Sequence, residues 1–283
     1  MVRSSQDFAG RLVVITGAAS GIGRATALEF ARAGAELCVC DLPSADLPGL
    51  AAELTRAGGR AARALAVDVG SREQMAAFCE TASQARVPDV LVNNAGVGLA
   101  GGALATSLED WHWIFDVNVW GVVHGCHFFA PKMVAQGRGQ IVNIASAAGF
   151  YNSEAMTAYG TTKYAVVGLS EGLRAELAPR GVGVSVVCPG FINTPIVARM
   201  RMRGDRYPES ERSKISAFYE QRNYAPERVA RAVLAAARKN PALLPVTPEA
   251  WGLYLMKRAA PDLTHRALAF AERWSNRKNG GKP

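Results

Sequence analysis

The chain has 283 residues, 49% of them apolar and 20% charged, with a formal net charge of +8. That is enough for one large α/β domain with a substantial core, or two small ones. No apolar run approaches the ~18–20 residues of a membrane-spanning helix, and the opening MVRSSQDFAGR lacks the apolar stretch of a signal peptide, so a soluble cytoplasmic protein is expected.

The elements alternate along the chain. RLVVITG (11–17) reads as a first strand, and a helical pattern follows from Ile22 to Ala33, stopping at Gly34. AELCVCD (35–41) is a second strand, and a helix over 47–57 stops at Gly58-Gly59. AARALAVDV (61–69) holds a third strand ending on Asp68-Val69, and SREQ (71–74) is a capping box opening a helix to about 85. VPDVLVNNAG (87–96) is a fourth strand, 111–134 one long helix, and GQIVNIAS (139–146) a fifth strand. A helix carrying AYGTTKYAVVGL (158–169) comes next, then a sixth strand, GVGVSVVCPG (181–190).

Beyond Pro189-Gly190 the pattern loosens: 193–225 is polar, Arg-rich and broken by Pro195, Gly204 and Pro208. Pro226 opens an amphipathic helix to 239, as proline does at a first helical position. ALLPV (242–246) is a last short strand, and a helical tail runs over 248–276. Strands that are nearly all apolar, alternating with helices, specify a parallel sheet of about seven strands covered on both faces, a doubly wound α/β fold. With no linker and no repeat, residues 1–283 read as one domain, with 191–225 as a lid and 247–283 as a C-terminal helical extension.

The charge is uneven. Residues 1–198 hold 14 Lys+Arg against 16 Asp+Glu, and residues 199–283 hold 18 against 8. Such a region is either a solvated surface or an attractor of anionic partners. It carries no recognisable nucleic-acid motif, and its bases are interleaved with acids, so nucleic acid is not expected. Cys38, Cys40, Cys79, Cys126 and Cys188 are scattered through apolar segments and read as buried thiols.

The chemistry concentrates at strand ends. TGAASGIG (16–23) joins a strand to a helix, where glycines let the backbone approach a pyrophosphate and the helix N-terminus offers free N–H groups; Gly17, Ser20, Gly21, Ile22 and Gly23 are the candidate contacts. Asp41 ends strand two, placed to accept hydrogen bonds from both ribose hydroxyls of an adenosine and to repel a 2′-phosphate. No Lys or Arg stands next to it or within 16–23, which favours NAD over NADP. Asp68, Val69, Asn94, Ala95 and Gly96 fall at the ends of strands three and four, over the same crevice. Asn118 is a polar residue on an apolar helix face, and Ser146 ends strand five. Tyr159 and Lys163 stand one helical turn apart, so the ammonium can favour the phenolate and lower the phenol's pKa from ~10 toward neutrality. His124 and His127, three apart on the 111–134 helix, have no third ligand at fitting spacing, so no metal is expected. Trp111, Trp113, Phe128 and Phe129 read as core or subunit interface.

Taken together, TGAASGIG, Asp41, Asp68, NNAG (93–96), Asn118, Ser146, YGTTK (159–163) and PG (189–190) resemble the classical short-chain dehydrogenase/reductase family over about residues 8–240. The resemblance implies a Rossmann-type fold, an Asn118–Ser146–Tyr159–Lys163 catalytic tetrad, and nicotinamide contacts from Pro189, Gly190, Ile192 and Thr194. It also implies that Lys163 holds the nicotinamide ribose, that Ser146 hydrogen-bonds the substrate oxygen, that Asn118 anchors a water relaying protons to Lys163, and that the protein is a homotetramer or homodimer.

The tail departs from the shorter members. Trp251, Leu253, Tyr254, Leu255, Met256, Leu263, Leu268, Phe270 and Trp274 lie among Lys257, Arg258, Arg266 and Arg273. The tail resembles the longer ones of members acting on lipophilic substrates, and it packs on its own domain, on a neighbouring subunit or at a membrane surface. Phe191, Met200, Met202, Tyr207, Phe218 and Tyr219 of the lid, with Val97, Leu99, Phe150 and Tyr151, are expected to enclose a bulky, mainly apolar alcohol or ketone. Two alternatives stand beside it. One is a reductase of 3-oxoacyl thioesters whose acidic carrier meets Arg199, Arg201, Arg203 and Arg206; the other is a cofactor-binding regulatory protein without turnover.

Overall fold

The computed structural model describes residues 8–204 and 209–278. Strand β1 (Leu12–Thr16) leads to helix α1 (Gly21–Arg32), β2 (Glu36–Asp41), α2 (Leu47–Arg56), β3 (Arg60–Ala66), α3 (Arg72–Ser83), β4 (Val90–Asn93) and the short β5 (Leu99–Ala100). Helices α4 (Leu108–Phe115) and α5 (Gly121–Ala135) precede β6 (Gly139–Ile144), α6 (Thr157–Leu177) and β7 (Val182–Cys188). Then come α7 (Ile196–Arg199), β8 (Arg201–Met202), α8 (Arg212–Arg222), α9 (Pro226–Lys239), β9 (Leu243–Pro245), α10 (Pro248–Ala259) and α11 (Pro261–Lys278).

Seven strands form one sheet in the order β3-β2-β1-β4-β6-β7-β9, every neighbouring pair parallel. The sequence of β1, LVVIT, is buried throughout because both sheet faces are covered. Alternate residues serve opposite faces. Val13 and Ile15 pack with Phe30 of α1, Leu54 of α2 and Val233 of α9; Leu12 and Val14 pack with Phe78 of α3, Phe129 of α5 and Val166 of α6. The fold is thus doubly wound, as expected. The strand order reverses between β1 and β4, and the carboxyl ends flanking such a switch open a crevice.

Several boundaries differ from the sequence reading. Strand three stops at Ala66, so Asp68 and Val69 lie beyond it rather than ending it. Ser71 caps α3 through the Gln74 N–H, but the Gln74 side chain accepts the Asp68 N–H at 2.8 Å, leaving the capping box half closed. The long helix at 111–134 begins at Leu108 and is interrupted by a π-helical stretch, Asp116–Trp120, holding Asn118. The tail is two helices: Ala260, which precedes Pro261, leaves helical geometry at φ −150° and ψ 75°. It packs on its own domain, with Tyr254 5.1 Å from Phe150 and His265 6.1 Å from Tyr151 between ring centroids.

The 191–225 segment is more regular than its polarity suggested, since β8 pairs with β5 and α8 follows. Arginines hold it together. The Arg212 guanidinium donates to the carbonyls of Val197, Ala198 and Met200, capping the C-terminal end of α7. Arg201 and Arg203 both bind Asp110 of α4, and Arg222 binds Glu249 of α10. Arg206 and Tyr207 lie outside the described residues. All five cysteines are free and buried. Among the described residues, no helix is long and apolar enough to cross a membrane.

Candidate active site

The glycine loop between β1 and α1 is locked to the end of β4. Thr16 Oγ1 accepts the N–H groups of Asn94 and Ala95, both at 3.1 Å, and the Asn94 amide donates to the carbonyls of Thr16 and Gly17 at 3.0 and 2.9 Å. Gly17 holds φ at +65°, and a Cβ there would stand 2.6 Å from the Ala95 Cα. A Cβ on Gly23 would stand 2.0 Å from the Gly17 carbonyl oxygen. Asn94 and Ala95 thus brace the loop that Gly17, Gly21 and Gly23 form. Gly23→Ala is expected to cost about 1–3 kcal/mol of folding free energy through overpacking. Urea denaturation checks this, and an unchanged midpoint would contradict the interlock.

Ser20 enters α1 without a side-chain cap, and no acid occupies the helix's first turn. The helix therefore presents unpaired N–H groups and its positive end to the crevice, an anion site by construction. Thr194 lies against this loop, 3.3 Å from where a Gly21 Cβ would be. Ile22 and Ile192 instead turn their side chains into the core around β1 and β4, leaving only their backbone for a ligand.

Ser20 and Asp41 line a cleft of about 1060 Å³. Asp41 Oδ2 accepts the Ala19 N–H at 2.7 Å and Oδ1 the Leu42 N–H at 2.8 Å. A carboxylate has about four acceptor positions, so two remain for ribose hydroxyls. Sequence proximity gave Asp41 no basic neighbour, but the fold brings Arg24, Arg32, Arg56 and Arg199 to the cleft wall. Arg24 is paired with Glu53 and Arg32 with Glu29, whereas Arg199 reaches over from α7, a residue far along the chain that no local signal could have placed. Asp68 accepts the N–H of Gly70 at 2.9 Å, and Val69 packs against α5 while its carbonyl meets His124 Nδ1 at 2.9 Å. His124 is thereby a packing residue, stacked on Trp120 at 5.9 Å.

Tyr159 and Lys163 share the crevice face of α6, with Lys163 Nζ 5.7 Å from the Tyr159 ring centroid. Ser146, two residues past β6, donates to the Pro189 carbonyl at 3.5 Å and lies close enough to Tyr159 to influence its phenol. Lys163 is 5% exposed and donates to the Ile144 carbonyl at 3.2 Å. Burial pulls its ammonium from an ordinary lysine's 10.5 to about 8. Burial also pushes the Tyr159 phenol above its usual value, with Ser146 opposing the rise. Burial, not the neighbouring ammonium, is the leading influence on this phenol.

Asn118 is fully buried in the π-helical stretch, a geometry frequent at functional sites. Its side chain is committed: Oδ1 accepts the Val97 N–H at 2.8 Å, and Nδ2 donates to the Val97 carbonyl at 3.0 Å and Thr162 Oγ1 at 3.1 Å. Through its side chain it ties the β4–β5 connection to α6 beneath Tyr159. Gly96 borders both groups, since a Cβ there would lie 3.2 Å from Asn118 Oδ1 and 3.6 Å from Lys163 Nζ.

The mouth above Tyr159 is aromatic. Phe191 meets Phe218 and Tyr219 edge-on at 5.4 and 5.6 Å. The Tyr219 phenol is raised by burial and, next, by Tyr159, which sets the two phenols near one another. Leu99, Phe150, Met200 and Met202 are buried in side-chain clusters. Phe129 is core, while Trp111, Trp113 and Phe128 are partly buried, with Arg201 stacked 3.6 Å over Trp113.

A doubly wound sheet with a glycine loop after β1, an acid ending β2 and a Ser–Tyr–Lys group beyond β6 defines a dinucleotide-dependent oxidoreductase architecture. The comparisons agree: the short chain dehydrogenase family model matches residues 11–204, and the chain belongs to that family. It is similar to "Probable oxidoreductase EphD" of Mycobacterium tuberculosis, 41% identical over 261 residues, covering 90% of this chain and 44% of that protein. The chain thus spans less than half the length of that relative. It is also similar to the 3-oxoacyl-(acyl-carrier-protein) reductase FabG of Thermotoga maritima, 35% identical over 81% of this chain and 90% of the relative. Among solved structures, a short-chain dehydrogenase/reductase from Burkholderia phymatum in complex with NAD has a TM-score of 0.81 at 31% identity, covering 91% of this chain and 96% of that one. Other similar structures hold NADP or NADPH.

Proposed function

We propose that the protein is an NAD-dependent oxidoreductase that interconverts a bulky, lipophilic secondary alcohol and its ketone. The carrying observation is the gathering of Ser146, Tyr159 and Lys163, with Lys163 Nζ 5.7 Å from the Tyr159 ring centroid, beside the crevice where the strand order reverses. NAD would lie with its pyrophosphate over Gly17, Ser20, Gly21, Ile22 and Gly23, its adenosine ribose at Asp41, and its nicotinamide toward Lys163, Pro189, Gly190, Ile192 and Thr194. Asp68, Val69, Asn94, Ala95 and Gly96 support the walls between. The cofactor supplies hydride chemistry, and the chain supplies the proton and the orientation. Ser146 positions the substrate oxygen, Tyr159 donates or accepts its proton, and Lys163 orients the ribose and tunes the phenol. Asn118 holds α6 in register beneath them.

Residues 191–225 act as the lid, and Phe191, Phe218 and Tyr219 give it an apolar underside. The assembly is a cytoplasmic homodimer or homotetramer, built through the side of α5 and α6 where Trp120 and Tyr164 stay exposed.

NAD is favoured over NADP because Asp41 keeps free acceptors at the ribose position and two cleft arginines are neutralised by Glu53 and Glu29. Fluorescence titration with NADH and NADPH tests it, with tighter NADH binding expected. Asp41→Ala should weaken NADH and narrow the preference. Tighter NADPH binding by the wild type would hand the site to Arg199 instead.

The likeness to the FabG reductase supports a second reading, reduction of 3-oxoacyl thioesters. Against it, Arg201 and Arg203 are spent on Asp110, leaving fewer lid cations for an acidic carrier. Turnover of a carrier-bound 3-oxoacyl substrate with a salt-sensitive KM would favour this second reading.

A further inference from the structure

Glu249, in the first turn of α10, holds two distant segments at once. Its Oε1 accepts the Phe191 N–H at 3.1 Å, and its other oxygen pairs with Arg222, the last residue of α8. The fit around it is close: a Cβ on Gly190 would stand 2.3 Å from Glu249 Oε1 and 2.2 Å from Thr247 Oγ1. Thr247 is fully buried and caps α10 by accepting the Ala250 N–H at 3.3 Å. The strand leading into this corner is fixed as well, because Tyr224, two residues past α8, donates its hydroxyl to the Val246 carbonyl at 3.1 Å, and its own carbonyl accepts the Asn193 N–H at 3.0 Å.

Three pieces therefore meet at one carboxylate: the turn after β7, the end of the lid helix and the head of the C-terminal extension. Phe191 carries the contact onward, since its ring abuts Phe218 and Tyr219, and Tyr219 lies close enough to Tyr159 to feel its charge. We propose that Glu249 is a positioning residue for the reaction, a latch that fixes α8 and the Pro189-Gly190-Phe191 turn together and so sets the aromatic mouth over Tyr159. This rests on the hydride-transfer reading above. It also gives the C-terminal extension a role in substrate binding without touching substrate.

A glutamate in a helix's first turn also stabilises that helix through its dipole, and this bland role makes a different prediction. Glu249→Gln keeps an acceptor for the Phe191 N–H and loses only the ion pair, as does Arg222→Met, while Glu249→Ala loses both. If Glu249 is a latch, Glu249→Gln and Arg222→Met behave alike and raise KM for propiophenone about threefold, the scale of a partly exposed ion pair. Glu249→Ala raises it about tenfold by also losing a charge-assisted hydrogen bond, while kcat stays near wild type. Limited proteolysis within residues 199–222 accelerates in the same order. The exchange Glu249→Arg with Arg222→Glu restores slow proteolysis relative to either single change.

Wild-type KM and wild-type nicking in Glu249→Ala overturn the latch. So does a loss of melting temperature in Glu249→Ala that Arg222→Met does not share in either readout, which leaves only the helix-end role. Should the wild type neither bind NADH nor turn over propiophenone, the hydride-transfer reading has failed. The proteolysis series still decides whether Glu249 joins lid and tail.

Discussion

Tyr159→Phe is expected to lower kcat by about 10²–10⁴-fold, the range lost with a positioned acid or base, and to leave NADH affinity nearly unchanged. The reason lies in what the change removes. A phenylalanine ring keeps the packing on α6 and the face toward Lys163, and only the hydroxyl disappears. Burial raises the phenol, so it is protonated at neutral pH and ready to donate to a developing alkoxide. Ketone reduction should therefore be supported at neutral pH, and alcohol oxidation, which needs the deprotonated oxygen, should climb as pH rises. Steady-state kinetics in both directions with an NADH titration of the variant checks this. A variant with wild-type kcat removes Tyr159 from the proton path.

Lys163→Met should be as damaging to turnover and yet more stable than wild type at neutral pH. The Lys163 ammonium is lowered from 10.5 to about 8 by burial. Below pH 8 the folded protein carries that charge out of water, which corresponds to about 3 kcal/mol at 1.36 kcal/mol per pKa unit. Between pH 8 and 10.5 the unfolded chain holds the proton more tightly than the folded one, so this group makes wild-type stability rise with pH through that window. Methionine has no such dependence and a similar length. The stability gap between variant and wild type should be largest near pH 7 and close above pH 10.5. Urea denaturation of both proteins at the two pH values measures it, and a gap independent of pH would mean the lysine is not held against its own solvation. A buried cation kept at this cost is expected where electrostatics serve catalysis.

Much of this was legible in sequence because the physics is local. Strands such as LVVIT and VGVSVVC are apolar runs that only a two-sided burial explains, and Tyr159 and Lys163 are brought together by one helical turn. Other parts depend on contacts that no window contains. The π-helical turn at Asn118 keeps the apolar pattern of an ordinary helix, and the bonding partner of its side chain is the Val97 backbone, 21 residues away. Arg199 reaches the cleft beside Asp41 only through the path of the 191–225 segment. Helix α8 went unread because it buries no side chain fully and so leaves no periodic stripe. The burial that raises the phenol is not legible in spacing, which reports a neighbouring cation and says nothing of desolvation. The break in the tail had a local signal that the single helix over 248–276 passed over, since Pro261 disfavours a helical conformation at Ala260.

The seam between Thr16, Gly17 and Asn94 joins residues 77 and 78 positions apart. The shape of the glycine loop is consequently a long-range property, although its sequence looks like a self-contained turn. A nascent chain that has emerged only through α3 carries every glycine of the loop and its Asp41 contact, but neither Asn94 nor Ala95, which brace it from β4. Closing so long a loop has an entropic cost that must be met before the contacts form, so the nucleotide cradle matures late, when β4 docks beside β1. Nucleotide affinity in a refolding protein is then a clock for that one docking event. Fragments ending before β4 should be blind to the dinucleotide, however well their first strand and helix assemble.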